Sequence, residues 1–185
     1  MKVTTMRTNN VPNLHPPLDD SPTTSDSPAP EASPRWLSDD EQRTWRNFLF
    51  GSRAILRAMD KQLTRDSNLS GAEYEVLVPL SETPDGTIRS RELLSHLGWE
   101  RSRLSHLLGR MEHRNLVERM SCDDDARGLI VSITPHGRRT IESAAPAHLA
   151  MVRAVFIDEL TEEEARAINS MHSRIVARIQ EHDLG

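Results

Sequence analysis

The stretch ERSRLSHLLGRMEHRNLVER, residues 100–119, decides the fold, because spacing alone assigns both of its faces. On a helix turning about 100° per residue, its large apolar residues form one stripe. The stripe consists of Leu104, Leu107, Leu108 and Met111. The opposite side carries Ser102, His106, Gly109 and His113, with Arg103 and Arg110 at its flanks and no acid on this arc. The stripe predicts packing on a core. Arg, Ser and His are donors suited to phosphates and base edges, whereas a solvated face is the alternative for this helix taken alone.

The segments on either side put this helix in an informative order. Before it, Ser90 is predicted to cap a short helix, and Gly98 supplies the left-handed residue that a tight helix exit requires. After it, LVERM (116–120) and LIVSIT (129–134) are strand-like and flank the polar turn SCDDDARG (121–128). This is the order of a winged helix-turn-helix, whose second helix enters the major groove of DNA.

The tip of the predicted hairpin carries an arginine between small residues. Arg127 lies between Ala126 and Gly128, which leaves its side chain room to reach a narrow minor groove. Asp125 is placed to orient the guanidinium through a charge-assisted hydrogen bond. A solvated turn is the alternative interpretation of these residues.

Capping signals mark where the other helices begin. They are Ser38-Asp-Asp-Glu41, Ser70-Gly-Ala-Glu73, Thr134-Pro135 and Thr161-Glu-Glu-Glu164. The first helix is expected to end near Asp66. Pro79 is expected to kink or shorten the second helix. The third of these helices is expected to run towards Leu160. The predicted fold class is mainly α with a small β-hairpin wing. Apolar stripes over 36–63 and 149–179 exceed what a compact winged helix needs, which predicts a dimerisation region; packing within one chain is the alternative.

Composition limits the class of protein further. The chain has 185 residues and a formal charge of −5, so it has no global basic signature. Residues 89–119 are nevertheless net positive, with seven Arg and four Glu. Residues 1–34 hold seven of the eleven prolines and are predicted to be a disordered tail, either a plain solvated extension or a partner-binding segment. The single cysteine, Cys122, suits a reducing cytoplasm, and no apolar run is long enough for a membrane span.

In ERSRLSHLLGRMEHRNLVER, DDDARG and LIVSITPHGR, the chain resembles the multiple-antibiotic-resistance regulator (MarR) family of bacterial repressors. The resemblance covers about residues 38–182. It implies a homodimer that binds pseudo-palindromic double-stranded DNA and is released by a small ligand or by oxidation. Within a domain of residues 35–185, it implies dimerisation helices at about 38–66 and 135–182 and a DNA-binding lobe at about 70–134.

The resemblance also implies roles for individual residues. Ser102, Arg103, His106 and Arg110 fall on the DNA-reading face. Arg127 becomes the wing arginine and Asp125 its partner, while Arg89 and Ser90 become phosphate contacts. Asn115 stands where the family commonly has glycine, and asparagine tolerates the left-handed conformation needed there.

A small-molecule effector site is expected between the helices. Its predicted lining is Trp45, Phe48 and Arg53 from the first helix, Tyr74 and Leu77 from the second, and the fifth helix. Aromatic rings and an arginine suit a small aromatic anion, and plain core or interface roles are the alternative for each residue.

Motifs for catalysis are missing from the sequence, so we expect neither an enzyme nor a cofactor or metal. Three aspartates beside Cys122 raise the pKa expected for its thiol and weigh against redox sensing. The main alternative to a DNA-binding regulator is a helical protein-interaction module that does not bind DNA, which the net negative charge favours.

Overall fold

The computed structural model describes residues 35–122 and 125–182, without the side chains of residues 122–128. Six helices and three short strands follow one another along this part of the chain. They are α1 (Asp39–Ser67), α2 (Gly71–Glu82), β1 (Thr87–Arg89), α3 (Ser90–Leu97), α4 (Arg101–His113), β2 (Val117–Cys122), β3 (Asp125–Ile133), α5 (Pro135–Val155) and α6 (Glu162–Glu181), with a 3-10 turn at Ile157–Glu159. The described residues fall into two compact units, one up to residue 51 and the other from residue 52 onward. The mainly α fold class with a β-hairpin wing is confirmed.

The apolar stripe of α4 lies in the core of the second unit. Each of its four predicted members is at most 3% exposed. They pack with residues of α2, α3 and both wing strands, among them Leu77, Leu93, Val117 and Val131. The turn into α4 uses Gly98 at φ 60°, and the turn out of it uses Asn115 at φ 55°. The two left-handed positions predicted from the sequence are therefore confirmed.

The sheet contains one strand more than the predicted hairpin. Its order is β1-β3-β2, and β1 pairs antiparallel with β3 through Ile88 opposite Val131. Because Arg89 ends β1 and is itself the N-cap of α3, Ser90 is the first residue of that helix and makes no capping bond. The prediction that Ser90 caps α3 is thus wrong, since strand pairing holds the preceding backbone in place.

The other helix signals are mostly confirmed. Ser38, Ser70 and Thr161 each accept from the backbone N–H three residues on, and the glutamate there bonds back. Two expectations need correction. α2 continues through Pro79 to Glu82, so this proline does not end the helix, and the predicted kink stays a prediction. α5 stops at Val155, because Phe156 leaves helical geometry at φ −140°, and does not run on to Leu160.

The start of α5 crosses the base of the wing at very short range. The Thr134 hydroxyl donates to the Asn115 carbonyl at 2.5 Å and accepts from the Gly137 N–H at 2.9 Å. A Cβ on Gly137 would overlap the carbonyl oxygen of Leu116 and lie 2.9 Å from its carbonyl carbon. Glycine is therefore required here by a backbone contact, although the residue is helical.

We expect Gly137→Ala to lower the free energy of unfolding by about 3 kcal/mol, because the backbone must shift to admit one methyl group. Gly109→Ala is the matched control, since a Cβ there meets nothing within 4 Å. That substitution should be neutral or stabilise α4 by up to about 1 kcal/mol. Urea unfolding of both variants measures the difference, and equal stabilities would contradict the assignment.

Candidate nucleic-acid interface

The outer face of α4 presents donors to solvent. Ser102, Arg103, His106 and Arg110 are all exposed on this helix, opposite the buried stripe. The first turn of α4 contains no acidic residue. A helix N-terminus carries a partial positive charge and free N–H groups. The Arg side chains therefore present positive charge on this face, while the exposed Glu100 is the N-cap of the helix.

Arg103 is held against an aromatic ring. Its guanidinium carbon lies 3.9 Å from the centroid of the Trp99 ring. Trp99, in the turn between α3 and α4, is half-buried against the core. Such a cation–π contact restricts the side chain while leaving its N–H groups available at the ring edge. Trp99 was not singled out from the sequence, where its only signal was an aromatic residue four positions before an arginine.

The remaining predicted DNA contacts belong to elements other than α4. Arg89 and Ser90 are half-buried where β1 meets α3. Asp125 and Arg127 belong to β3, whose backbone pairs with β2. Their side chains lie outside the described residues, so the predicted Asp125–Arg127 contact stays a prediction.

An ion pair joins the last turn of α4 to β2. Arg119 donates from its backbone N–H to one carboxylate oxygen of Glu112 at 3.1 Å and from Nε to the other at 2.7 Å. Arg119 Nη2 donates to that second oxygen as well. These bonds lower the pKa of Glu112 from its ordinary value of 4.5. The ion pair with Arg119 thereby neutralises the carboxylate in the last turn of α4 within the fold.

A cavity of 710 Å³ lies between α1, α2, α3, α4 and α5 in the second unit. Its apolar walls include Leu56, Met59, Val78 and Leu97, and its polar groups are Asp60, Tyr74, Glu75, His96, Arg103 and His148. Arg103 thus belongs both to this cavity and to the outer face of α4.

The residues predicted for the effector site differ in burial and in their contacts. Tyr74 lines the cavity. Leu77 is fully buried in the hydrophobic core, where it cannot meet a ligand, and Arg53 is exposed on α1. In the first unit, Trp45 and Phe48 stack on each other with ring centroids 6.0 Å apart.

A series of polar side chains lies beside one wall of the cavity, and the sequence predicted only that the fifth helix contributes to this site. The His148 ring lies 4.4 Å from the Tyr74 ring, and His148 Nδ1 is 3.2 Å from Gln62 Oε1. Gln62 in turn donates to Asp66 at 3.0 Å. Burial lowers the pKa of His148 and raises that of Tyr74. This wall therefore favours uncharged forms of both rings.

Among the residues that the structure describes, no helix has the length and apolarity to cross a membrane. Within the same part of the chain, no cluster of three or more His, Cys, Asp or Glu is arranged to hold a metal ion.

The second helix of a helix-turn-helix packs on the core and is followed by a β-hairpin, and this arrangement defines a winged helix-turn-helix protein. Comparison with known proteins agrees. The model of the MarR family matches residues 69–129. AbsC, a MarR family transcriptional regulator from Streptomyces coelicolor, is 37% identical, with a TM-score of 0.76 over 80% of this chain and 99% of its own. The chain therefore belongs to the MarR family, whose members are transcriptional regulators.

Two other solved structures extend this comparison. Sco3205, a MarR family regulator from Streptomyces coelicolor crystallised in complex with DNA, is 35% identical, with a TM-score of 0.74 over 78% of this chain and 90% of its own. A mutant MarR from E. coli complexed with operator DNA shares the fold at 19% identity, with a TM-score of 0.64 over 72% of this chain and 93% of its own. A search of curated proteins found no match.

The Glu112–Arg119 pair makes a pH-dependent contribution to stability. Because the folded-state pKa of Glu112 lies below 4.5, the contribution is complete above that pH and is lost as pH falls through the lowered pKa. We expect Glu112→Gln to cost about 1 kcal/mol at pH 7 and much less at pH 3, allowing for partial solvent screening. Denaturant unfolding at both pH values tests this, with Glu118→Gln on the exposed side of β2 as control. An equal loss at both pH values would contradict it.

Proposed function

We propose that this protein is a homodimeric, sequence-specific DNA-binding regulator, a repressor that a small ligand releases from a pseudo-palindromic operator. The observation that carries the proposal is the acid-free outer face of α4, held outward by the fully buried stripe behind it. Sco3205, with 35% identity, was crystallised with DNA. In our proposal, Ser102, Arg103, His106 and Arg110 meet the major groove, and Arg127 of the wing meets the minor groove.

The charge distribution supports DNA binding despite the net charge of −5. Glu112 forms an ion pair with Arg119. The buried Glu73 forms an ion pair with Arg114. These two ion pairs partly neutralise the acid in the last turn of α4 and the buried acid of α2, whereas Arg103 and Arg110 remain exposed. Local charge, rather than net charge, governs contact with phosphates.

The proposal of a homodimer rests on α6. None of the residues of this 20-residue helix is buried. Ile175, Val176 and Ile179 are exposed on it, as are Leu149 and Ile157 earlier in the same unit. An amphipathic helix with its apolar side in water is unfavourable in a monomer. A second copy of the chain with two-fold symmetry would cover that side and match the symmetry of a palindromic site.

The cavity supports the proposal of a ligand. Its volume is within the range of small-molecule sites, and its lining is largely apolar with a few polar groups. Arg103 offers a positive charge to a carboxylate, and Tyr74 and the apolar wall suit an aromatic body. Because Arg103 also lies on the proposed DNA face, a bound anion would compete with DNA for the same guanidinium.

A helical protein-interaction module without DNA binding is the second candidate, favoured by the net negative charge. A mobility shift with DNA from the protein's own promoter region separates the two. The regulator retards this fragment more strongly than unrelated DNA of equal length, and an interaction module retards neither.

The predicted arginine contacts can be tested singly. We expect Arg103→Ala and Arg127→Ala each to weaken operator binding by about 1–3 kcal/mol, because each removes a charged, multidentate contact. Arg153→Ala is the control, since Arg153 is exposed on α5 and pairs with Asp158. Fluorescence anisotropy with labelled operator at several salt concentrations gives both the affinity and the number of phosphate contacts. Wild-type affinity in both variants, with the fold intact, would overturn the proposed contacts.

The dimer can be tested through α6. Ile175→Glu places a charge on the exposed apolar side, so we expect the dissociation constant of the dimer to rise by at least about tenfold. Ala177→Glu, about 200° away around the same helix, should leave it unchanged. Sedimentation velocity over a concentration series measures both, and equal behaviour of the two variants would exclude this side of α6 as the interface.

A further inference from the structure

A single buried carboxylate links two parts of the DNA-binding lobe that are distant in sequence. Glu73 is the third residue of α2, and its side chain is 7% exposed. One of its oxygens accepts from the backbone N–H and the hydroxyl of Ser70, at 2.8 and 3.0 Å. The other accepts from Nη1 of Arg114 at 2.6 Å. The glutamate of the capping box therefore has a second partner 41 positions along the chain.

The second guanidinium nitrogen of Arg114 completes the link. Nη2 donates to the backbone carbonyl of Asn68. Asn68 lies between α1 and α2 at φ 52°, so its carbonyl is turned away from the helical direction. One guanidinium thus bridges both sides of the corner between these helices. Only arginine has a planar fork that can make two such bonds at once.

Arg114 also ends the recognition helix. It is the C-cap of α4, and its N–H donates to the Arg110 carbonyl at 3.2 Å. The opposite end of α4 begins at the N-cap Glu100 without a side-chain capping bond. Side-chain bonds therefore concentrate at the C-terminal end of α4, where Arg114 reaches α2 and Glu112 reaches β2.

We infer that Arg114 and Glu73 are a positioning pair, which sets the direction of the recognition helix and acts on DNA recognition without contact to DNA. The inference rests on the proposed function. Glu73 is too deeply buried to touch a nucleic acid, and both nitrogens of Arg114 that bond are directed at the corner. Base contacts require donors to be placed within about 0.5 Å and 10–20°. A small rotation of α4 about its C-terminal end would displace Ser102 and Arg103 most, because they lie farthest from that end.

The test uses the full-length protein and two variants. Glu73→Gln preserves the capping box, since glutamine also serves at this position, but removes the charge that holds Arg114. Arg114→Lys keeps the positive charge at the helix end and loses the two-point bridge. Asp158→Asn is the control. It breaks the ion pair between Asp158 and Arg153 of α5, whose atoms are 2.7 Å apart, and our proposal assigns neither residue to DNA binding. Affinity is measured for the protein's own promoter fragment and for unrelated DNA at a temperature where circular dichroism shows each variant folded.

A positioning role predicts an unequal effect on the two DNAs. We expect Glu73→Gln and Arg114→Lys to weaken binding to the promoter fragment by about tenfold, the equivalent of one good base contact, and to change binding to unrelated DNA by less than about twofold. Asp158→Asn should change neither. If Glu73→Gln does not fold, Arg114→Lys decides the outcome.

Other results would overturn the inference. Unchanged promoter affinity together with a lowered melting temperature would make the pair merely structural. Equal losses on both DNAs for Arg114→Lys alone would make Arg114 a direct phosphate contact. If the unaltered protein itself does not prefer its promoter fragment, the proposed function fails and this inference fails with it.

Discussion

Four apolar side chains on one side of a 13-residue helix must leave water, and the rest of the DNA-binding lobe is arranged around that requirement. Burial of Leu104, Leu107, Leu108 and Met111 fixes the rotation of α4 about its own axis. Rotation is what matters for recognition, because a turn of one residue position, about 100°, would replace the donors on the outside with another set. The hydrophobic effect in the core thus selects which polar groups meet the solvent, without itself contributing to any contact with a partner.

Rotation alone leaves the tilt of the helix undefined, and charged groups supply that second constraint. Glu112 with Arg119 and Glu73 with Arg114 join the end of α4 to a strand on one side and to a helical corner on the other. These bonds are directional, whereas apolar contacts are not. The same bonds keep acidic side chains engaged within the fold, so that α4 carries positive charge in a protein whose total charge is negative.

The sequence predicted those features that depend on neighbours along the chain. Capping boxes, the apolar stripe and the left-handed residues at Gly98 and Asn115 all follow from local geometry, and the structure bears them out. The strand β1 was missed, because three residues, Thr87–Arg89, carry too little pattern and gain their conformation only by pairing with β3, more than 40 positions later. The Arg114–Glu73 bond and the cavity lining were missed for the same reason. Tyr74, which was predicted for the effector site, is half-buried beside the cavity, whereas Leu77, three positions later on α2, lies in the core.

The contact between Gly137 and the Leu116 carbonyl has a mechanical consequence. With no side chain between them, the first turn of α5 and the base of the wing have no gap in which to slide past each other, so they behave as one rigid joint. α5 extends from this joint for 21 residues, about 30 Å at 1.5 Å per residue. Because the contact at the start of α5 is close, the wing is expected to move together with this long helix. A rotation of α5 by a few degrees would therefore change the direction of the hairpin that contains β2.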